Sequence, residues 1–310
     1  MPSTPNKLLM GIYFYPRGGS AHVCRALASE FERNEFEVTV LSGSRSDFGA
    51  HARASSFYAG LDLRPVDFAP ALDSADRLGF VGPAGTAPMH GSYEDRPGAE
   101  DPILAGLDDG AYETQVKAWT RELELAGAAE ADLLYLHHLT PINEAAGRAF
   151  PDKPVLGHVH GTELLMLERI AAGAPASWSH AAAWAARIRR WAAACERIVV
   201  SSPEGLERAG AVLRLDPDRF VCVPNGFDAG FAPRRVDRRA HWRRQLVERP
   251  QGWRPGALPG SVSYEESDLE ALGGTVLLYS GRFTEVKRLP LLLEAFALAR
   301  PRFAGRTALV

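Results

Sequence analysis

The chain has 310 residues, 46% of them hydrophobic and 24% charged. This is ordinary globular composition, which excludes wholesale disorder and fibrous repeats, and at about 150 residues per domain it points to two domains. A net charge of −3, from 35 basic and 38 acidic residues, gives no general reason to expect nucleic-acid binding.

Taken in chain order, the pattern is strand, tight loop, helix, repeated. Residues 8–15 form a continuous apolar run that ends at Pro16-Arg17-Gly18-Gly19-Ser20, and a helix-period stretch opens at Ser20. In that stretch Val23, Leu27 and Phe31 recur every four residues on one face. Residues 38–41, 61–68, 132–137, 155–159 and 197–200 read as further strands, with 61–68 the weakest. Helix-start signals follow them: Thr140-Pro141, and Ser201-Ser202-Pro203-Glu204, where Ser201 and Glu204 stand at capping-box spacing. Short buried strands alternating with helices predict a parallel, doubly wound α/β sheet, a Rossmann-like domain over residues 1–228.

Two stretches interrupt this rhythm. Residues 82–110 hold ten Gly or Pro in 29 positions and read as a long irregular loop, the kind that serves function or is disordered. Residues 234–249 carry seven arginines against Asp237 and Glu248, a local charge of +5 within a linker spanning 229–274. A solvated arginine-rich helix is the favoured reading, and weak contact with an anionic membrane surface is the alternative. Strand 275–279, helix 289–300 and a last apolar run from 307 then start a second Rossmann-like domain, over 275–310. The second domain is expected to be incomplete, since one strand, one helix and the start of a second strand cannot close a core.

No targeting or membrane-spanning segment is expected. The first apolar run is too short and too aromatic for a secretory leader, and arginines interrupt the alanine-rich stretch 181–195. Cys24, Cys195 and Cys222 are odd in number and widely spaced, so they read as reduced thiols. The expected location is the cytoplasm, with peripheral contact to the inner face of the membrane as an option.

Several loops can carry chemistry. Gly18-Gly19 sits between a strand and a helix, where backbone amides and the helix N-terminus favour an anion or a sugar hydroxyl. The loop is neither G-x-G-x-x-G nor a P-loop, and the second strand ends in Ser42-Gly43 without a ribose-binding acid. The segment Gly157-His158-Val159-His160-Gly161-Thr162-Glu163 ends a strand and opens a helix from Leu164, which puts His160 and Thr162 where such sheets bind ligands. His160 could instead be only a helix cap. His158 and His160 share a face if both lie in the strand, but no third His, Cys or carboxylate at suitable sequence spacing completes a metal set. His137-His138 ends another strand. Asp216-Pro217-Asp218 precedes a strand and reads as a turn. Arg282 and Lys287 lie five residues apart on a loop before a helix, two cations suited to a departing diphosphate.

In order along the chain, several motifs resemble glycosyltransferase family 4, the retaining enzymes of GT-B fold. They are Gly18-Gly19, His160-Gly161-Thr162-Glu163, Ile198-Val199-Val200-Ser201-Ser202, Val223-Pro224-Asn225-Gly226-Phe227-Asp228, Gly281-Arg282-Phe283-Thr284-Glu285-Val286-Lys287 and Leu291-Leu292-Leu293-Glu294-Ala295-Phe296. The resemblance implies two Rossmann-like halves around a cleft, the first binding an acceptor (a sugar, a lipid or a small molecule) and the second a nucleotide-diphosphate sugar. It implies that Arg282 and Lys287 hold the donor diphosphate and that His160 contacts the donor sugar. Gly18, Gly19, Ser20, His138, Thr162, Glu163, Asn225 and Gly226 are the further substrate contacts expected. It also implies transfer with retention, without a bound metal or other cofactor. The family's Glu-x7-Glu segment has no counterpart in the 23 residues after Lys287. The expectation is therefore a truncated transferase or, alternatively, a non-catalytic sugar- or partner-binding module. A nucleotide-sugar epimerase on the same architecture is a third reading, and it too would need the missing half.

Overall fold

The computed structural model describes residues 6–72, 88–93, 101–226, 235–250, 252, 260–281 and 287–310. The chain divides into two compact units, Met1–Gly226 and Phe227–Val310.

The first unit is built on a seven-stranded, wholly parallel sheet in the order β3-β2-β1-β4-β5-β6-β7. Its elements are β1 (Lys7–Ile12), α1 (Gly19–Arg33), β2 (Glu37–Ser44), short helices α2 (Ala54–Phe57) and α3 (Ala69–Leu72) on either side of β3 (Asp62–Asp67), and α4 (Asp109–Leu125). They continue with β4 (Leu133–His137), α5 (Pro141–Ala149), β5 (Val155–His158), α6 (Thr162–Gly173), α7 (Ala181–Ala194), β6 (Arg197–Val200), α8 (Pro203–Leu213) and β7 (Phe220–Cys222). The doubly wound α/β class read from the sequence is the one observed.

Alternation along β1 divides the core between the two faces of the sheet. Leu8, Met10 and Ile12 join Cys24, Ala28 and Tyr58 on one face, while Leu9 and Tyr13 join Trp119, Leu136 and Ile142 on the other. Truncating a fully enclosed side chain such as Leu136 to alanine would cost about 2–5 kcal/mol. Outside the core, ion pairs link the helices. Arg148 joins Glu113 of α4 at 2.7 Å, Arg190 of α7 joins Glu144 of α5 at 2.6 Å, and Arg208 of α8 joins Glu168 of α6 at 2.6 Å. The two exposed pairs, Arg148–Glu113 and Arg208–Glu168, contribute about 0.2–1 kcal/mol each, while the Glu144 carboxylate is more enclosed.

Local boundaries differ from the sequence reading in two places. The cap of α8 is Ser202, whose Oγ accepts from the Gly205 N–H at 3.1 Å, and not Ser201. Pro203 fixes this, because proline suits the first helical position and so makes the preceding residue the cap. Helix α6 starts at Thr162, two residues before Leu164, and its cap is Gly161 in the left-handed region at φ 90°. His160 is therefore not a helix cap.

Part of the stretch read as an irregular loop at 82–110 lies outside the described residues, but 88–93 and 101–110 are ordered by specific bonds. Tyr13 Oη accepts from the Gly91 N–H at 3.0 Å and donates to the Met89 carbonyl at 2.8 Å. Ser92 bridges Ile103, a 3-10 turn follows over Leu104–Gly106, and Met89, His90, Ser92 and Tyr93 are buried.

In the second unit, α9 (Arg238–Trp242) runs into a π-helical stretch over Arg243–Glu248. Its described arginines are exposed, and some of them have partners elsewhere in the unit. Arg243 pairs with Glu266 at 2.6 Å, an acidic partner beyond 249, and Arg238 donates to the Gly274 carbonyl at 2.8 Å. Strands β8 (Thr275–Leu277) and β9 (Thr307–Leu309) pair in parallel, and α10 (Leu289–Ala299) connects them. Leu291, Leu293 and Leu298 of α10 are exposed. Among the described residues, no helix is long and apolar enough to cross a membrane.

Candidate active site

The strand order reverses its direction of growth between β1 and β4, and in open parallel sheets ligands bind at the carboxyl ends beside such a crossover. The pairing there is set by register: Ile12 lies opposite His137, and His137 opposite His158. His138 follows β4 directly, and His160 lies two residues beyond β5 rather than within it. Four imidazoles drawn from two distant sequence segments thus gather at one place on the sheet edge.

Their contacts are close. The His160 ring lies 4.2 Å from that of His158, 4.7 Å from His138 and 5.2 Å from His137. His137 Nδ1 and His160 Nε2 are 3.0 Å apart, so one of the two carries the shared proton. His158 Nδ1 lies 3.0 Å from Tyr135 Oη. His138 takes a left-handed backbone at φ 68°, unusual for a residue with a Cβ, and its Nδ1 lies 2.7 Å from Glu163 Oε1. Phe14, just past β1, packs edge-on against the His138 ring at 4.8 Å.

The electrostatics follow from burial. Desolvation pushes the His137 and His160 imidazoles well below their ordinary pKa, and His158 down to about 4, so these three are neutral at neutral pH. Glu163 is wholly buried. Burial works against its carboxylate, but the His138 charge and hydrogen bond outweigh that and hold its pKa below the usual range. The Nε2 atoms of His137, His138 and His158, and Oε2 of Glu163, are buried with no hydrogen-bond partner among the described residues.

A second polar group lies past the ends of β1 and β2. Arg17 Nη1 donates to Tyr15 Oη at 2.8 Å and to Asp101 Oδ2 at 3.1 Å, and Asp101 Oδ1 lies 2.8 Å from His90 Nδ1. Burial opposes the Asp101 charge, but the His90 hydrogen bond and the Arg17 cation lower its pKa. Sequence reasoning passed over His90 and Asp101, since both fall in a Gly/Pro-rich stretch. The usable signal was a lone buried-type histidine near an acid.

The expected site residues do not all come together among the described residues. His138, His160, Thr162 and Glu163 come together, with Thr162 and Glu163 in the first turn of α6. Gly18 is the cap of α1, Gly19 its first residue and Ser20 its second. A Cβ added at Gly18 or Gly19 would meet nothing within 4 Å, so the fold itself does not require glycine at either. Asn225 and Gly226 are exposed at the end of the first unit, and Lys287 is exposed in the second. Arg282 lies outside the described residues. The sequence-spacing case against a third histidine beside His158 and His160 does not hold, because strand pairing supplies His137 from 21 residues upstream.

With this geometry in place, the stretch from Gly91 through the histidine edge to the end of the first unit can be compared with known families. Residues 91–231 match the model of Glycosyltransferase Family 4. The family-4 stretch contains His138, His160, Thr162, Glu163, Asn225 and Gly226, and leaves Gly18–Ser20 and Lys287 outside it. No curated protein matches the chain in sequence.

Among solved structures, the chain is similar to the apo form of the lipopolysaccharide outer core galactosyltransferase WaaB, with 13% identity and a TM-score of 0.49. That similarity covers 98% of this chain and 59% of WaaB, so the chain spans less than two thirds of that relative. Anabaena Alr3699/HepE in complex with UDP-glucose shares 14% identity at a TM-score of 0.46, over 98% of this chain and 68% of its own. A glycosyltransferase from Rickettsia africae ESF-5 shares 9% identity at a TM-score of 0.49, over 99% and 68%.

Proposed function

We propose that the chain belongs to a glycosyltransferase that moves a sugar from a nucleotide-diphosphate donor to an acceptor with retention of configuration. The observation that carries this reading is the position of His160, a neutral imidazole at the carboxyl edge of the sheet, inside the family-4 stretch and next to the first turn of α6. A neutral imidazole hydrogen-bonds a sugar hydroxyl without placing a positive charge beside the developing oxocarbenium-like carbon. Gly18 and Gly19, with open space where a side chain would stand, leave room for substrate to approach the backbone.

In this reading Arg282 and Lys287 neutralise the leaving diphosphate. The bond from the anomeric carbon to the phosphate oxygen breaks, and the acceptor oxygen bonds to the same face of that carbon. The acceptor proton passes to the departing phosphate oxygen, so no separate carboxylate base is required. His138, fixed by Glu163, supports His160 from the side. The segment around His90 and Asp101 selects the acceptor.

The test is calorimetric titration of the purified chain with UDP- and GDP-sugars, followed by assay of transfer. Saturable binding that weakens in Lys287→Ala and Arg282→Ala supports the reading. Absence of binding to every nucleotide diphosphate sinks it and favours a non-catalytic module.

A further inference from the structure

We propose that His137, His158 and His160 form a binding site for a borderline divalent transition-metal ion of the zinc class. Each offers one ring nitrogen, and those three atoms lie within 4.8 Å of one another. Zinc–nitrogen bonds of about 2.0–2.1 Å in a tetrahedral arrangement place the nitrogens roughly 3.3 Å apart. The closest pair, His137 Nδ1 and His160 Nε2, already stands at 3.0 Å, and small side-chain rotations bring in the third.

The scaffold is suited to hold such a set. His137 and His158 are fixed opposite each other by the β4–β5 register, and His160 lies in the turn that leads into α6. Ligands carried on strand ends keep their spacing better than ligands on loops. His158 also has the outer partner that ligating histidines commonly show: Tyr135 Oη, 3.0 Å from Nδ1, can accept its proton and leave Nε2 as the ligating atom. That Nε2 is buried without a partner among the described residues. A buried polar atom without a partner is rare and calls for an explanation, and a bound ion is one. The donor set decides the class of ion. Three imidazoles and no carboxylate suit zinc, copper, nickel or cobalt and not calcium or magnesium, and a fourth position stays open for water or a hydroxyl.

This site does not rest on glycosyl transfer, and its test reads binding alone. If His160 also serves the donor sugar, ion and donor would exclude each other and zinc would inhibit.

The test is calorimetric titration of the chelator-treated full chain with ZnCl2, repeated with CoCl2 and followed by visible absorption. We expect one equivalent per chain and the intense absorption of low-coordinate cobalt. His158→Gln should weaken zinc binding by about 100-fold or more, and the conservative Tyr135→Phe by about 10–100-fold. Metal-free urea midpoints show whether each variant is folded, and Tyr135→Phe carries the test if His158→Gln is not. No saturable binding, or affinity unchanged in Tyr135→Phe and in the folded histidine variants, would overturn the proposal. Unchanged affinity would also place the ion elsewhere.

Discussion

Glu163 and His138 are 25 residues apart in sequence and meet at 2.7 Å, where the first turn of α6 reaches back to the end of β4. The pair is buried from both sides: Glu163 has no solvent exposure and His138 is 3% exposed. It joins two neighbouring strand ends at the point where the candidate site is assembled.

Removing one partner of this pair should cost far more than neutralising it. His138→Ala leaves a buried carboxylate uncompensated, which typically destabilises by about 3–5 kcal/mol. Glu163→Gln keeps an amide oxygen for His138 and no charge, so its loss should be clearly smaller. Urea denaturation of both variants checks this, and equal losses would show that the charge of Glu163 is not what matters.

Gly18 and Gly19 give a separation of fold from function. Since a Cβ at either meets open space, Gly19→Ala should leave the urea midpoint close to that of the parent, and Gly18→Ala should cost no more than the modest loss of a glycine cap, about 1 kcal/mol or less. If substrate approaches the backbone there, transfer should fall by up to about 10²-fold through misplacement of the reacting groups. Unchanged turnover would remove these glycines from the site.

Acid stability should depend on Glu144, which ties α5 to α7. Burial opposes its charge, but hydrogen bonds from Arg190, Trp191 and Arg148 lower its pKa to about 2 from an ordinary 4.5. A carboxylate depressed in the folded state binds fewer protons there than in the unfolded chain. Its stabilisation is therefore complete above pH 4.5 and is lost as pH falls from there towards 2. Glu144→Gln should flatten the stability profile in that window, as measured by thermal melts at stepped pH.

The cap of α8 distinguishes two adjacent serines. Ser202→Ala should cost about 0.5–2 kcal/mol, while Ser201→Ala should cost little. Chemical denaturation of the two single variants decides between them.

The fold was largely legible from the sequence, because periodicity reports burial. The run 197–200 became β6 with the same ends, and β2, β4, β5 and β8 shifted by only a few residues. Gly/Pro content misled at 88–93, where long-range bonds from Tyr13 and Gln115 impose an order that local composition cannot encode. The same limit applied at the site. His160 and Glu163 were visible as a motif, but the place of His137 and His158 beside them depends on which strands become neighbours. Asp101 was hidden for the same reason, since its partner Arg17 lies 84 residues away, and His90 joins the group through Asp101.

The central position of β1 also bears on how the chain is made. Its first edge partner, β2, follows within about thirty residues, but Lys7 reaches its other neighbour only across 125 residues, where its N–H bonds Asp132. At roughly 5–20 residues per second of synthesis, one edge of β1 waits about 6–25 s for β4. During that interval the apolar run Leu8–Ile12 presents an unpaired strand edge, so a nascent chain stopped before β4 should be the species most dependent on chaperones.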